Sequence, residues 1–143
     1  MDFYNLKLKP IYDGIISLQT LSWLNDYKKL LSQVFRLSPR WFALSSLFYD
    51  GDISCKIKVK ENKTNRERYY NIYSIPEITR YANRYKYFIK KIETFEINKK
   101  LIKPNDPNFM QTYTLDVHDG KRKLIQKSGP LFMPWYFILF EKK

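Results

Sequence analysis

The chain has 143 residues, 44% of them apolar and 28% charged, with a formal net charge of +12 at pH 7. That length suits a single compact domain over 1–143 and is too short for two of ordinary size. One cysteine, Cys55, excludes an internal disulfide or a multi-thiolate metal site and fits a reducing compartment. The longest apolar run, 131–140, is broken by a proline and falls short of the ~20 residues of a membrane-spanning helix.

Residues 1–10 (MDFYNLKLKP) have neither the apolar stretch of a signal peptide nor the Arg/Ser-rich pattern of a transit peptide, so the protein is expected to work where it is made. Leu21, Leu24, Tyr27, Leu31, Val34 and Phe35 recur every three or four positions and predict an amphipathic helix over 18–35. Ser38 followed by Pro39 predicts the cap and first turn of a second helix reaching residue 48, where Asp50-Gly51-Asp52 stops it. A helical lead over 1–50 thus precedes a basic α/β body over 51–143.

In the body, strict apolar/basic alternation over 53–60 and a tyrosine-rich return over 68–75 predict a hairpin. Ser74 and Pro76 open a helix to residue 92, with Ile78, Tyr81, Ala82, Tyr85, Ile89 and Ile92 facing inward and Arg80, Arg84, Tyr87 and Lys91 outward. Strands are expected over 94–102, 109–117 and 122–126, the last two joined by a turn at Asp119-Gly120. The apolar tail 131–140 is expected to be covered on both faces, as a central strand ahead of an edge strand docked against another protein. The fold class predicted by this order is α+β: two N-terminal helices, then a mostly antiparallel sheet with a helix packed on one face.

The charge is concentrated. Residues 56–103 carry fourteen Lys or Arg against five Glu and no Asp. Lys56, Lys58, Lys60, Lys63, Arg66, Arg68, Arg80, Arg84, Lys90 and Lys91 are the expected phosphate contacts, with Tyr69, Tyr73 and Tyr87 as rings on which bases or sugars stack. The expected partner is RNA ahead of DNA, together with other proteins of a large complex, because tyrosines suit unpaired bases and no helix-turn-helix or zinc-finger spacing is present. A solvated, edge-protecting strand is the plainer reading of the lysine row.

Residues with AT-rich codons (Phe, Tyr, Met, Ile, Asn, Lys) far outnumber Gly, Ala, Arg and Pro, as an organellar or low-GC genome would produce. Taken together, these features predict a non-catalytic RNA-binding part of a ribonucleoprotein, such as a mitochondrial ribosomal protein, with the mitochondrial matrix or the cytoplasm as its compartment. No catalytic residue, cofactor or metal is expected. The chain has no Walker A sequence, no G-x-G-x-x-G and no H-E-x-x-H. His118 sits in a predicted turn beside Asp119-Gly120 and has no nucleophile spaced to it.

The alternative is an enzyme. Residues 47–54 (LFYDGDIS) resemble the acidic end of the LAGLIDADG homing-endonuclease motif, and the elements over about 45–117 follow a similar order. The resemblance implies a helix ending at Asp50, Asp52 as the ligand of a hard cation, and metal-dependent nucleic-acid cleavage. Leu47 and Ile53 stand where that motif has a small residue and a glycine, and a polar turn accounts for the same residues. A small phage or mobile-element protein that blocks a nucleic-acid-handling complex is the remaining alternative.

Overall fold

The computed structural model describes residues 12–95, 97, 99–106, 111–119, 121–128 and 131–143, and the side chains of 118, 119 and 121–123 lie outside that description. Among the described residues there are ten strands and two α-helices. They run β1 (Gly14–Leu18), α1 (Tyr27–Arg36), β2 (Trp41–Tyr49), β3 (Lys58–Glu61), β4 (Arg66–Tyr69), β5 (Tyr73–Ser74), α2 (Ile75–Asn83), β6 (Tyr87–Thr94), β7 (Thr112–Asp119), β8 (Lys121–Ser128), β9 (Leu131–Phe132) and β10 (Trp135–Lys142). The expected pair of leading helices is therefore corrected. Residues expected as a helical lead contain two strands, and the molecule is dominated by sheet.

The causes are local. β1 precedes a 3-10 turn at Leu21–Trp23, so α1 begins only where Asp26 accepts a hydrogen bond from the Lys28 amide at 3.0 Å. Leu21 and Leu24, which share the spacing of the helical stripe, are buried from that turn instead. Ser38 adopts φ 59°, the left-handed conformation that ends helices, and its amide donates to the Phe35 carbonyl at 3.0 Å. Ser38-Pro39 thus closes α1 rather than opening a second helix. The residues that follow, rich in aromatics and buried continuously over 44–48, form a strand in the middle of the sheet. The third expected helix stops at Asn83 for the same reason. Lys86 takes φ 62° and its amide donates to the Asn83 carbonyl, after which Tyr87–Thr94 extends as β6.

β1 and β2 are parallel, with Gly14 opposite Trp41 and Leu18 opposite Ser45, and α1 provides the crossover that parallel neighbours need. β10 pairs antiparallel with β2 on one side and with β6 on the other, giving the order β1-β2-β10-β6, with β5 parallel to the last residues of β2. Part of the apolar tail is thus a central strand, but it is not covered on both faces as expected, since Phe137 is 39% exposed. The expected 53–60/68–75 hairpin forms over a narrower stretch, as β3 and β4 with a bridge between Cys55 and Ile72, while Tyr73–Ser74 leave it to pair with β2; Cys55 is exposed. β7 and β8 pair with Thr112 opposite Ser128, and β9 extends that sheet. The strand expected over 94–102 does not form among the described residues beyond the end of β6. Residues 1–11, 109–110 and Gly120 lie outside the description.

The main core lies between α1, α2 and one sheet face. Leu31, Val34, Phe35, Ile78 and Ala82 meet Phe42, Leu44, Tyr87, Ile138 and Phe140, all nearly or fully excluded from solvent. Phe35 is its hub, stacked on Tyr87 at 4.6 Å and edge-on to Phe42 and Phe140. A smaller core of Leu47, Tyr70, Met133 and Trp135 lies under the hairpin. By register, the opposite face of the sheet carries Ile16, Leu18, Trp41, Ala43, Phe137 and Leu139, and no helix covers it among the described residues. Gly14 lies under the Trp41 ring, where a Cβ would sit 2.0 Å from that ring, so any larger residue requires the indole to move. No described helix is long and apolar enough to cross a membrane.

Candidate functional site

The carboxyl ends of the parallel strands β1 and β2, where open α/β sheets hold their ligands, lie beside the N-termini of both helices. A buried polar network fixes this end. Asn71, fully buried, donates to the Leu24 carbonyl at 2.8 Å and to Tyr73 Oη at 2.9 Å, while its own carbonyl accepts from the Ile57 amide at 3.0 Å. Tyr73 Oη donates to the same Leu24 carbonyl at 2.7 Å. Ser46 Oγ accepts from the Ser22 amide. With every member satisfied, the network locks the loop after β1 to the strand before α2.

Between the helix N-termini lies a cleft of about 90 Å³ lined by residues including Tyr27, Lys28, Ser54, Lys56, Tyr73 and Glu77. Glu77 accepts from Lys28 Nζ at 3.1 Å and from Ser54 Oγ at 2.9 Å. Burial pushes its carboxyl upward, but the hydrogen bonds from Lys28 and Ser54 together with the Lys28 charge outweigh that, and it lies below the ordinary carboxylate value. The Tyr27 hydroxyl is buried without a partner in hydrogen-bond geometry among the described residues. Burial first, and then the Glu77 charge, holds it protonated far above the usual phenol range. Asp26 and Ser74 cap the two helices, so their positive ends are already occupied by this chain's own oxygens.

The predicted acidic pair does not form a metal centre. Its helix is β2 instead, which removes the geometry implied by the endonuclease-like motif. Asp52 accepts from Arg80 at 2.6 Å and from Ser74 Oγ at 3.3 Å, and the Arg80 hydrogen bond holds its carboxyl below the ordinary value. Asp50 is exposed. Among the described residues no three His, Cys, Asp or Glu side chains converge on a possible metal position. The His118 side chain lies outside the description.

The expected basic patch divides in two. In the hairpin, Lys56, Lys58 and Lys60 project outward with Tyr69, half-buried opposite Lys58, and Lys63 and Arg66 flank the turn. Lys58 is bridged to Glu67 at 2.7 Å and Arg68 to Glu61, whereas Lys56, Lys60, Lys63 and Arg66 form no salt bridge among the described residues. The other half is dispersed. Arg80 is held by Asp52, Lys90 by Glu141 at 3.0 Å and Lys91 by Glu93 at 2.6 Å, and Lys91 lies on β6 rather than on a helix with Arg80. Arg84 is exposed, 6.0 Å from the centre of the Tyr81 ring. Tyr73 and Tyr87 are core residues, and Tyr87 Oη donates to the Pro39 carbonyl at 2.5 Å. Neither is placed to stack on a base, which leaves Tyr69 of the three. Sequence reasoning missed Tyr27, Asn71 and Glu77, whose residue types carry no motif; the Ser74 cap three residues before Glu77 was the one local signal.

No family model and no curated protein matches the sequence. The fold is similar to solved methyltransferase structures. One is a 1,6-didemethyltoxoflavin-N1-methyltransferase from Burkholderia thailandensis with bound 1,6-didemethyltoxoflavin and S-adenosylhomocysteine, matched at a TM-score of 0.56 and 13% identity. Another is a SAM-dependent methyltransferase from Methanosarcina mazei, at 0.57 and 11%. Each match takes in 99% of this chain but only 48% and 65%, respectively, of the other protein's length. This likeness overturns the expectation of a non-catalytic ribosomal component and supplies no support for a ribonucleoprotein role.

The described residues do not by themselves fit an S-adenosyl cofactor. The cleft of about 90 Å³ is well below the roughly 300 Å³ at which pockets for drug-sized ligands begin. Both helix N-termini are closed by their own caps, and the four glycines form no closely spaced loop over which a backbone could approach a nucleoside.

Proposed function

We propose that this chain is the substrate-side portion of a methyltransferase-type α/β domain, active in methyl transfer once its sheet is completed by a cofactor-holding portion. The observation that carries the reading is the sheet: parallel β1 and β2 joined through α1, with antiparallel β10 inserted between β2 and β6, aligned along 99% of the chain with two methyltransferases. Two further features support it. The chain spans about half to two thirds of the length of those structures, and one sheet face, apolar along β1, β2 and β10, has no helix over it among the described residues. Ile16 and Leu18, each 62% exposed, and the outer edge of β1 are where the remainder would lie. The AT-rich residue bias supports an organellar or low-GC source.

The test uses S-adenosylhomocysteine binding by calorimetry and transfer of tritiated methyl from S-adenosylmethionine. The chain alone is expected to bind no tighter than millimolar and to transfer nothing. The assembly in which the bare face is covered is expected to transfer label. An assembly that binds the cofactor product but never transfers label, or a lone chain that binds it at micromolar concentration, overturns the reading.

A further inference from the structure

We infer that the β3–β4 hairpin is a binding site for the phosphodiester backbone of a single-stranded nucleic acid. If the methyl-transfer reading holds, this names the substrate class; the binding itself does not depend on that reading. Between residues 56 and 69 the chain carries six cations and two carboxylates. Those two carboxylates are consumed by Lys58 and Arg68, leaving Lys56, Lys60, Lys63 and Arg66 exposed and without a salt bridge among the described residues. Like charges held this close repel one another unless an anion screens them. Residues that alternate along a strand stand about 6.6 Å apart on one side. Lys56, Lys58 and Lys60 therefore form a row that can follow successive phosphates.

Position favours this group over other cations. The inward residues Ile57 and Val59 pack on the core beneath the hairpin, so the lysine row faces outward by necessity. Lys56 also lines the cleft at the carboxyl end of the sheet, so a strand laid along the hairpin is led toward the end where α/β sheets hold their ligands. Tyr69, opposite Lys58, offers one ring beside the row. A second exposed cation group, Arg36, Arg40, Lys86 and Lys143, lies at the opposite end of β2 and β6, away from that cleft, and serves as the charge-matched control.

The experiment is fluorescence anisotropy of a fluorescein-labelled 20-nucleotide mixed-sequence RNA, and of the same sequence as DNA, with the full chain. Four phosphate contacts on a single strand predict a roughly 50-fold loss of affinity between about 50 and 200 mM salt. Lys56→Gln/Lys60→Gln/Lys63→Gln/Arg66→Gln is expected to weaken binding at least about tenfold at low salt and to flatten the salt slope. Circular dichroism should show the fold intact, because these side chains are exposed and hold no bridge. The control Arg36→Gln/Arg40→Gln/Lys86→Gln/Lys143→Gln should change affinity less than about threefold. Tighter binding of RNA than of DNA names RNA as the source; equal binding assigns recognition to the shared backbone. Parent-like affinity in the hairpin variant, or an equal loss in the control, overturns the site. Binding that survives while methyl transfer fails would strike the functional reading and leave this one standing.

Discussion

The two faces of the central sheet carry similar residues and meet different fates. On one, Phe42, Leu44, Ile138 and Phe140 are sealed beneath α1 and α2, each at most 1% exposed. On the other, Ile16, Leu18 and Phe137 remain 62%, 62% and 39% exposed, and Phe137 lines a shallow groove of about 120 Å³ with Ala43 and Leu139. Alternation along β1, β2 and β10 is apolar on both sides, the pattern of a sheet meant to be covered twice. Among the described residues only one of the two faces receives its helices, and that sealed face holds most of the buried core.

The largest effect is expected on the sealed side. Phe35 touches Phe42, Tyr85, Tyr87 and Phe140, and Phe35→Ala removes all four ring contacts and leaves a cavity, costing about 3–5 kcal/mol in urea denaturation. Leu18→Ala on the bare side should shift stability of the isolated chain by no more than about 0.5 kcal/mol. Comparable losses at the two positions would mean that the bare face is covered in the isolated chain as well.

A middle-sized effect separates the two helices from the sheet they seal. Lys28 of α1 and Glu77 of α2 join the helix N-termini. Glu77 titrates below its ordinary value of 4.5 in the folded chain, so its contribution is complete above that pH and is lost as pH falls through the lower folded value. Glu77→Gln should therefore cost up to about 1 kcal/mol at neutral pH, with the gap to the parent closing in acid. A gap that is constant from pH 7 to pH 3 would show that the ion pair contributes nothing.

How much of this was legible follows from which signals the chain uses. The stripe of Leu31, Val34 and Phe35, the Ser74 cap, the lysine alternation and the central apolar tail all express a local period or a local cap, and the corresponding structures are present. The breaks were illegible. Gln19, Ser38, Asn65 and Lys86 all adopt positive φ, and with four glycines in the whole chain the usual markers of such positions are missing. A helix pattern that ends on Ser38 or Lys86 looks in sequence as though it continues or restarts. For the site, tyrosines were indistinguishable by type. Tyr73 and Tyr87 fill the core and Tyr69 stands at the hairpin surface, a division set by strand register and not by composition. Charge pairing behaves the same way, since Arg80 and Asp52 lie 28 residues apart in sequence and meet only through the fold.

The smallest effect tests that account of the breaks at the edge of the sealed face. Lys86 links the end of α2 to β6, its amide donating to the Asn83 carbonyl and its carbonyl accepting from the Lys143 amide at 2.9 Å. Its side chain is exposed and forms no salt bridge among the described residues, so the residue's role is set by its backbone. A side chain in the left-handed region costs about 1–2 kcal/mol, and glycine avoids that while losing more freedom on folding. Lys86→Gly should therefore stabilise the chain by roughly 0.5 kcal/mol, raising the urea midpoint without changing the slope. Destabilisation by the same substitution would mean that the lysine side chain, rather than its backbone, holds the start of β6 against the sealed core.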